Sequence, residues 1–267
     1  MKRYFAFGCS YVAWQWDTVT DYIGANFDEY YNCGLAGCSN TFMMNKLFDF
    51  NEIYKFNSSD FVTIGTTGFG RFSFYNKNSL EWNCNGDIFP EFKYHPELAR
   101  LWAREFDSHT WAIRRSIDAV KWMRFMLTNL QVPHKIYRSV TNTGWLKNKE
   151  QFGLTDYNLE LIDQFNNLLD IAESIDDYVI RTNPLNEESG IVFNDGDHDH
   201  HPSPLQHYRY FEHYFAEFNT DKAQQRYHES LTNFDRSSRK NQIEKYKEYK
   251  NKQVKDLKKV NEILWKI

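Results

Sequence analysis

Two short stretches, far apart along the chain, carry the residue types of nucleophilic catalysis. Gly8-Cys9-Ser10 ends an apolar run in the first ten residues, and residues 194–203 (NDGDHDHHPS) hold three aspartates and three histidines. A serine hydroxyl becomes a nucleophile when an imidazole removes its proton and a carboxylate fixes the tautomer of that imidazole. We therefore predict that Ser10 faces an Asp/His pair from the second stretch.

Simpler interpretations of these residues stay open. Ser10 is also the residue type that caps a helix starting at Tyr11. The Asp/His-rich tract has residue types that bind a divalent metal through mixed ligands, and its polarity also suits a surface loop. The HExxH spacing of zinc enzymes is absent from the sequence, which weakens the metal interpretation. We expect neither a metal nor another cofactor.

The predicted elements place the two stretches at one edge of a sheet. The predicted strands are 2–8, 28–32, 60–65, 134–140 and 178–180, and the predicted helices are 12–24, 42–54, 108–129 and 158–175. This alternation predicts an α/β fold with a mainly parallel sheet, whose ligand sites lie beyond the carboxyl ends of the strands. The glycine turns at 8–10, 34–37 and 65–70 should then meet at that edge. Ser10 should lie at the start of a helix, where the N–H groups favour negative charge.

One segment does not fit this alternation. Residues 66–94 are rich in glycine, asparagine and aromatic residues and show no sustained period, so we predict a long irregular loop. Loops of that length in a compact domain are usually functional or disordered. The aromatic residues favour a function such as stacking on a sugar ring, although they would also suit a core beneath the loop.

Composition excludes several classes of function. The 267 residues are 18% aromatic and carry a net charge of −4, which argues against binding to nucleic acid or to an anionic membrane. No apolar run is long enough to cross a bilayer, and the apolar run 4–7 is too short for a signal peptide. The four cysteines have no CxxC pair, so we expect reduced thiols. The expected location is the cytoplasm, including that of an infected host cell, or a virion.

The C-terminal segment differs from the rest of the chain. Residues 236–267 contain 11 Lys+Arg against 4 Asp+Glu, a net of +7, with apolar residues at helical spacing. We predict an α/β domain over 1–218 and a helical extension over 219–267 that ends in a long basic helix. That helix should pack on the domain or on a partner subunit of a homo-oligomer, unless it is an ordinary helix with a solvated charged face.

Three sequence blocks together resemble a known enzyme family. Gly8-Cys9-Ser10-Tyr11, the block 32–37 (NCGLAG) and the block 199–203 (DHHPS) are similar to the motifs of the SGNH (GDSL-type) hydrolases, over the chain up to about Phe218. The resemblance implies a flavodoxin-like three-layer α/β/α sandwich, with Ser10 as nucleophile and the backbone N–H groups of Ser10 and Gly37 as oxyanion donors. Cys9 stands where the family usually has aspartate. That cysteine, Arg71 and the stretch 82–86 (WNCNG) resemble a divergent branch found in bacteriophages and marine viruses.

The sequence departs from the family pattern at two places. The family's Gly-x-Asn block corresponds to residues 65–68 (GTTG), so its oxyanion-donating amide is missing, and either Thr67 or Arg71 replaces it or the site lacks one donor. The family spacing Asp-x-x-His fits Asp197 with His200, whereas the usual His-Pro pair fits His201. We choose His201 with Asp199, because the proline fixes the turn that aims the imidazole, and keep Asp197 and His200 as the reserve pair.

The resemblance implies an esterase acting through a Ser-His-Asp triad on a small acyl ester, such as an O-acetyl group on a carbohydrate. Arg71 and Trp82 are the candidate substrate-binding residues. The alternatives are an acyltransferase that uses the same site, a binding protein that has kept the fold, and a metal-dependent enzyme centred on residues 195–201.

Overall fold

The computed structural model describes residues 2–76, 81–87, 108–141, 150, 153–182, 190–253, 255 and 257–265. Its strands are β1 Arg3–Gly8, β2 Glu29–Gly34, β3 Phe61–Thr66, β4 Arg71–Asn76, β5 Glu81–Asp87, β6 His134–Arg138, β7 Ile191–Val192 and β8 His198–Asp199. Its α-helices are α1 Val19–Gly24, α2 Asn40–Tyr54, α3 His109–Asn129, α4 Asp156–Asn166, α5 Ile175–Thr182, α6 Pro204–Tyr214, α7 Asp221–Asn233, α8 Arg239–Gln253 and α9 Leu257–Trp265.

The centre of the fold is a four-stranded parallel sheet with the strand order β2-β1-β3-β6. Gly8 at the end of β1 lies opposite Gly34 of β2 and Gly65 of β3. The predicted α/β class with a parallel sheet is therefore confirmed, and the three glycine turns meet at the carboxyl edge as expected.

Helices cover both faces of this sheet because alternate side chains of its central strand are apolar on each side. On one face, the Phe7 ring of β1 packs edge-on against Phe50 of α2, and α2 in turn contacts α3. On the other face, Tyr4 of β1 stacks on Phe27, and α1 packs against α6 and α7. This arrangement is compatible with a three-layer α/β/α sandwich.

Several predicted elements are wrong or have different bounds. The predicted strand at 178–180 belongs to α5, and the predicted helix at 12–24 begins only at Val19. The predicted irregular loop contains the antiparallel hairpin of β4 and β5, while its residues 77–80 and 88–94 lie outside the described residues. The predicted helix at 158–175 ends at Asn166, and the basic C-terminal helix is divided into α8 and α9.

The C-terminal extension packs on its own chain. Val260 and Leu264 of α9 are buried in the main core, and the buried Lys46 ammonium donates to the Ile263 carbonyl. Arg226 of α7 makes a two-fold ion pair with Asp17, at 2.7 and 2.8 Å, in a buried position. One apolar face of the extension is therefore used within the chain. In the described part of the chain, no helix combines the length and the apolar character needed to cross a bilayer.

Candidate active site

Ser10 lies on a tight turn that immediately follows β1. The N–H groups of Val12 and Ala13 both donate to the Cys9 carbonyl, at 2.9 and 3.2 Å, but the turn does not continue into a helix. The prediction that Ser10 begins a helix is therefore wrong, and so is the simpler interpretation of Ser10 as the cap of a helix at Tyr11. The backbone N–H groups of this turn, rather than a helix N-terminus, are what the site offers to a negative charge.

The three glycines at the strand ends explain why the turn fits there. Val12 lies over them: a Cβ added at Gly8 would lie 2.3 Å from Val12 Cγ2, and one at Gly34 would lie 2.9 Å from Val12 Cγ1. A Cβ at Gly65 would also meet Val12, at 3.0 Å. A side chain at any of these positions would push the turn outward, so the glycines allow the close approach of the loop that carries Ser10.

The structure joins Ser10, His201 and Asp199 in one hydrogen-bonded chain. The Ser10 hydroxyl donates to His201 Nε2 at 2.8 Å, and His201 Nδ1–H donates to Asp199 Oδ1 at 2.7 Å. The backbone N–H of His201 donates to the same carboxylate oxygen at 2.9 Å. These contacts leave Nε2 unprotonated and directed at the serine, which is the arrangement that a general base requires.

Hydrogen bonds and nearby positive charge keep the buried carboxylate of Asp199 ionised. The residue is 2% exposed. Burial acts to raise the pKa of Asp199, but the hydrogen bonds from His201 and the positive charge of Arg239 outweigh burial and hold that pKa below its ordinary value. Arg239 Nη2 lies 3.1 Å from Asp199 Oδ2. An ionised Asp199 stabilises the imidazolium that forms when His201 accepts a proton.

Aromatic side chains surround the imidazole of His201. The Trp14 ring stacks on it, with the ring centroids 3.5 Å apart, and the Tyr11 ring is tilted against it at 5.3 Å. The Tyr11 hydroxyl donates to Asp176, and burial raises the pKa of Tyr11 well above its ordinary value. Below Tyr11, burial lowers the pKa of His207 to about 3, so this second imidazole stays neutral. Among the described residues, the Asp199 carboxylate bonds His201 directly, and Arg239 pairs with that carboxylate.

The reserve pair lies on the outer part of the same loop. Asp197 is exposed, and its carboxylate accepts from the neighbouring backbone N–H of His198. His200 is also exposed and packs edge-on against the His198 ring, with centroids 4.3 Å apart. Ser10 contacts His201 and not His200, so the structure brings together the residues of the His-Pro register.

Three candidate oxyanion donors lie near the Ser10 turn. Among the described residues, no acceptor is found for the backbone N–H of Ser10 or of Gly37. Gly37 has φ 77°, a conformation that favours glycine, and its loop is fixed beside β1 by the Leu35 N–H and the Cys38 thiol, which both donate to the Gly8 carbonyl. The Thr67 hydroxyl is buried and, within the described residues, has no hydrogen-bond partner.

Sequence reasoning missed the residue that holds Thr67. The Asn40 side chain, at the start of α2, accepts from the Thr67 N–H at 2.9 Å and donates to the Thr67 carbonyl at 3.1 Å. This amide therefore fixes the loop after β3 against the loop after β2. In the sequence, Asn40 stands in Ser39-Asn40-Thr41, three residue types that favour helix caps and carry no signal of this long-range contact.

The two candidate substrate-binding residues have different environments. Arg71 begins β4. Burial raises the pKa values of Tyr11 and Cys38, and the positive charge of Arg71, near the Ser10 turn, partly offsets that rise. Trp82 is half-buried, and its ring packs edge-on against Phe42 of α2 at 5.3 Å. Trp82 therefore contributes to the packing of the hairpin on α2, whereas Arg71 lies near the nucleophile.

Sequence reasoning also missed Trp14 and Arg239, which lie beside the Asp199–His201 pair. In the described residues, no group of three or more His, Cys, Asp or Glu side chains is arranged to hold a metal ion.

Neither a protein-family model nor a curated protein matches the sequence. The function is therefore argued from the geometry of this site and from the resemblance of its motifs.

Proposed function

We propose that the protein is a serine esterase of the SGNH type that hydrolyses a small acyl ester. The observation that carries the proposal is the hydrogen-bonded chain from Ser10 through His201 to the buried Asp199. Ser10 lies 191 positions before His201 in the chain, whereas Asp199 and His201 belong to one loop. Their convergence at the carboxyl edge of a parallel sheet is typical of a ligand site in an α/β fold.

The strand order supports the finer classification of the fold as a flavodoxin-like three-layer sandwich. Taken in chain order, the four parallel strands lie in the order 2-1-3-4, and the direction of winding reverses between β1 and β3. Ligands in such folds bind at this reversal. Ser10 follows β1 and Thr67 follows β3, so these two residues lie on opposite sides of the reversal.

The proposed mechanism begins with acylation. Ser10 Oγ forms a bond to the ester carbonyl carbon while its proton passes to His201 Nε2, and the carbonyl π electrons move to the oxygen. The N–H groups of Ser10 and Gly37 and the Thr67 hydroxyl stabilise this oxyanion. The tetrahedral intermediate then collapses, the bond to the alcohol oxygen breaks, and the imidazolium protonates the leaving alkoxide.

Deacylation repeats these steps with water. His201 takes a proton from water as the water oxygen bonds to the acyl carbon. The tetrahedral intermediate then collapses, the bond between that carbon and Ser10 Oγ breaks, the free acid leaves, and the imidazolium returns its proton to Ser10 Oγ. Asp199 stays ionised throughout and stabilises the imidazolium. The 4% exposure of Ser10 favours a small acyl group, such as acetyl. The half-buried aromatic rings of Phe72, Phe74 and Tyr75 on the β4–β5 hairpin support a carbohydrate as the alcohol part.

The experiment that tests the proposal measures hydrolysis of a chromogenic acetate ester. We expect turnover by the wild type and loss of all but background turnover in Ser10→Ala, while the exposed control Ser59→Ala keeps the wild-type rate. Equal rates in the wild type and Ser10→Ala would contradict the proposal. Product analysis with an added sugar alcohol separates hydrolysis, which releases acetate, from transfer to the acceptor.

A further inference from the structure

We propose that Arg239, from the C-terminal extension, is a positioning residue that holds the Asp199–His201 pair in its working geometry. This inference rests on the proposed function and adds to it a residue from outside the three motif blocks. It also assigns the basic extension a role in the chemistry of the site.

The carboxylate of Asp199 has two oxygens with different surroundings. Oδ1 accepts from both the ring and the backbone of His201. The described residues place no aligned hydrogen-bond donor on Oδ2, which faces Arg239 Nη2 at 3.1 Å. A buried carboxylate oxygen without a compensating group carries a desolvation cost. Arg239 therefore places a positive charge beside Oδ2, which adds to the His201 hydrogen bonds that keep Asp199 ionised and favours the orientation with Oδ1 toward His201.

Arg239 also contacts the aromatic residue that covers the base. Its guanidinium lies 5.9 Å from the Trp14 ring centroid, and Trp14 stacks on His201. A cation over an indole face is attracted to the ring when it lies within about 6 Å of the ring centroid. Arg239 thus lies beside both groups that orient the His201 imidazole: the Asp199 carboxylate and the Trp14 ring.

The start of α8 is fixed to both loops of the site. The Arg236 carbonyl accepts from the Asn194 N–H at 2.9 Å, which links the extension to the Asp/His-rich loop. Gln242 Nε2 donates to the Gln15 carbonyl at 2.8 Å, which links α8 to the loop that carries Ser10. These two bonds lie on either side of Arg239 in sequence. They anchor the start of α8, so the guanidinium of Arg239 stays over Asp199.

The charged groups around His201 predict that the pH dependence of activity changes when Arg239 loses its charge. Asp199 and Arg239 are charged, whereas Tyr11 and His207 are neutral, and Trp14 has no charge. Asp176 accepts from Tyr11 and lies behind it. Loss of the Arg239 charge leaves the negative charge of Asp199 less compensated, which favours the protonated and inactive form of the base.

The test compares Arg239→Gln and Arg239→Lys with the control Lys240→Gln, which removes a positive charge from the exposed next position of the same helix. In Arg239→Gln we expect kcat/KM for a chromogenic acetate ester to fall about tenfold, and the acidic limb of its pH profile to move up by about one pH unit. Arg239→Lys should restore the position of the limb because it keeps the charge. Lys240→Gln should stay within about twofold of the wild type.

A spectroscopic readout distinguishes failure of this inference from failure of the proposed function. The ring signals of His201 in ¹⁵N-labelled protein should titrate at higher pH in Arg239→Gln than in the wild type, with no change in Lys240→Gln. A titration that is the same in Arg239→Gln and the wild type would overturn the role of Arg239. Absence of Ser10-dependent turnover in the wild type would overturn the proposed function, whatever the titration shows.

Discussion

The two halves of the Asp/His-rich loop, residues 194–197 and 198–203, both hold aspartates but have different surroundings. Residues 194–197 are exposed, and the Asp197 carboxylate accepts from a backbone N–H of its own loop. In the second half, Asp199 is buried, the Pro202 carbonyl accepts from Trp16 Nε1, and His201 accepts from Ser10. Both halves hold aspartates, but only in the second half is an aspartate buried and joined to a histidine that contacts the distant Ser10.

An Asp/His pair can act in catalysis only where the surrounding residues bury the carboxylate and orient the imidazole. Trp16 and Trp14 belong to the loop after β1 and hold the second half against the sheet edge. A carboxylate in that environment is ordered and directed at one imidazole, whereas an exposed carboxylate is screened by water. The predictions below test whether activity follows these surroundings.

The largest expected effect separates the two adjacent histidines. His201→Ala should lower kcat/KM for a chromogenic acetate ester by about 10⁴, since it removes the group that accepts the serine proton. His200→Ala, its matched control, should stay within about twofold of the wild type because its side chain is exposed. Steady-state kinetics measures both variants. A larger loss of kcat/KM in His200→Ala than in His201→Ala would contradict the assignment of His201 as the base.

A smaller effect is expected at the oxyanion site. Thr67→Val removes the buried hydroxyl with little change in shape and should lower kcat by about 10²–10³, with KM nearly unchanged. Thr67→Ser keeps a hydroxyl and should retain most of the activity. Equal kcat values in the wild type and Thr67→Val would remove Thr67 from the oxyanion site.

The smallest effect concerns stability and acid. The pKa of Asp199 is lower in the folded protein than its ordinary value, so its ionisation stabilises the fold above about pH 4. This contribution is lost as the pH falls below that value, toward the lowered pKa of the folded state. Asp199→Asn lacks this ionisable carboxylate, so its melting temperature should fall less than that of the wild type between pH 5 and pH 3.

Thermal unfolding followed by circular dichroism at several pH values measures this difference. The control Asp197→Asn should follow the wild-type curve, since its exposed carboxylate contacts a backbone N–H of its own loop. Parallel curves for the wild type and Asp199→Asn would contradict the stabilising role of the Asp199 carboxylate.

The sequence predicts the elements of the sheet well because their signals are local. The runs 2–8 and 60–65 are short, rich in apolar residues and end in glycines, and the run 28–32 precedes a glycine turn. The three runs overlap β1, β2 and β3. The stretch Tyr178-Val179-Ile180 carries the same β-branched and aromatic signal but lies in a helix. There, the Ser174 hydroxyl accepts from the Asp177 N–H, and the start of α5 is stabilised by this local bond.

The site is predictable in its motif residues and not in its supporting residues. Ser10, Asp199 and His201 are distinguished by residue type and by the proline that follows the histidine. Arg239 is one of 11 basic residues in a charged segment, and nothing in its local sequence distinguishes it from Lys240. Its role depends on a contact across 40 positions, which the spacing of residues does not encode.

Covalent labelling with a fluorophosphonate, followed by mass-spectrometric mapping of the modified peptide, tests most directly whether His201 activates Ser10. We expect one adduct, on Ser10, in the folded wild type. Labelling should be lost in His201→Ala and kept in His200→Ala. Absence of an adduct on Ser10 in the folded wild type, or equal labelling of Ser10 in His201→Ala, would contradict the claim that His201 activates this serine.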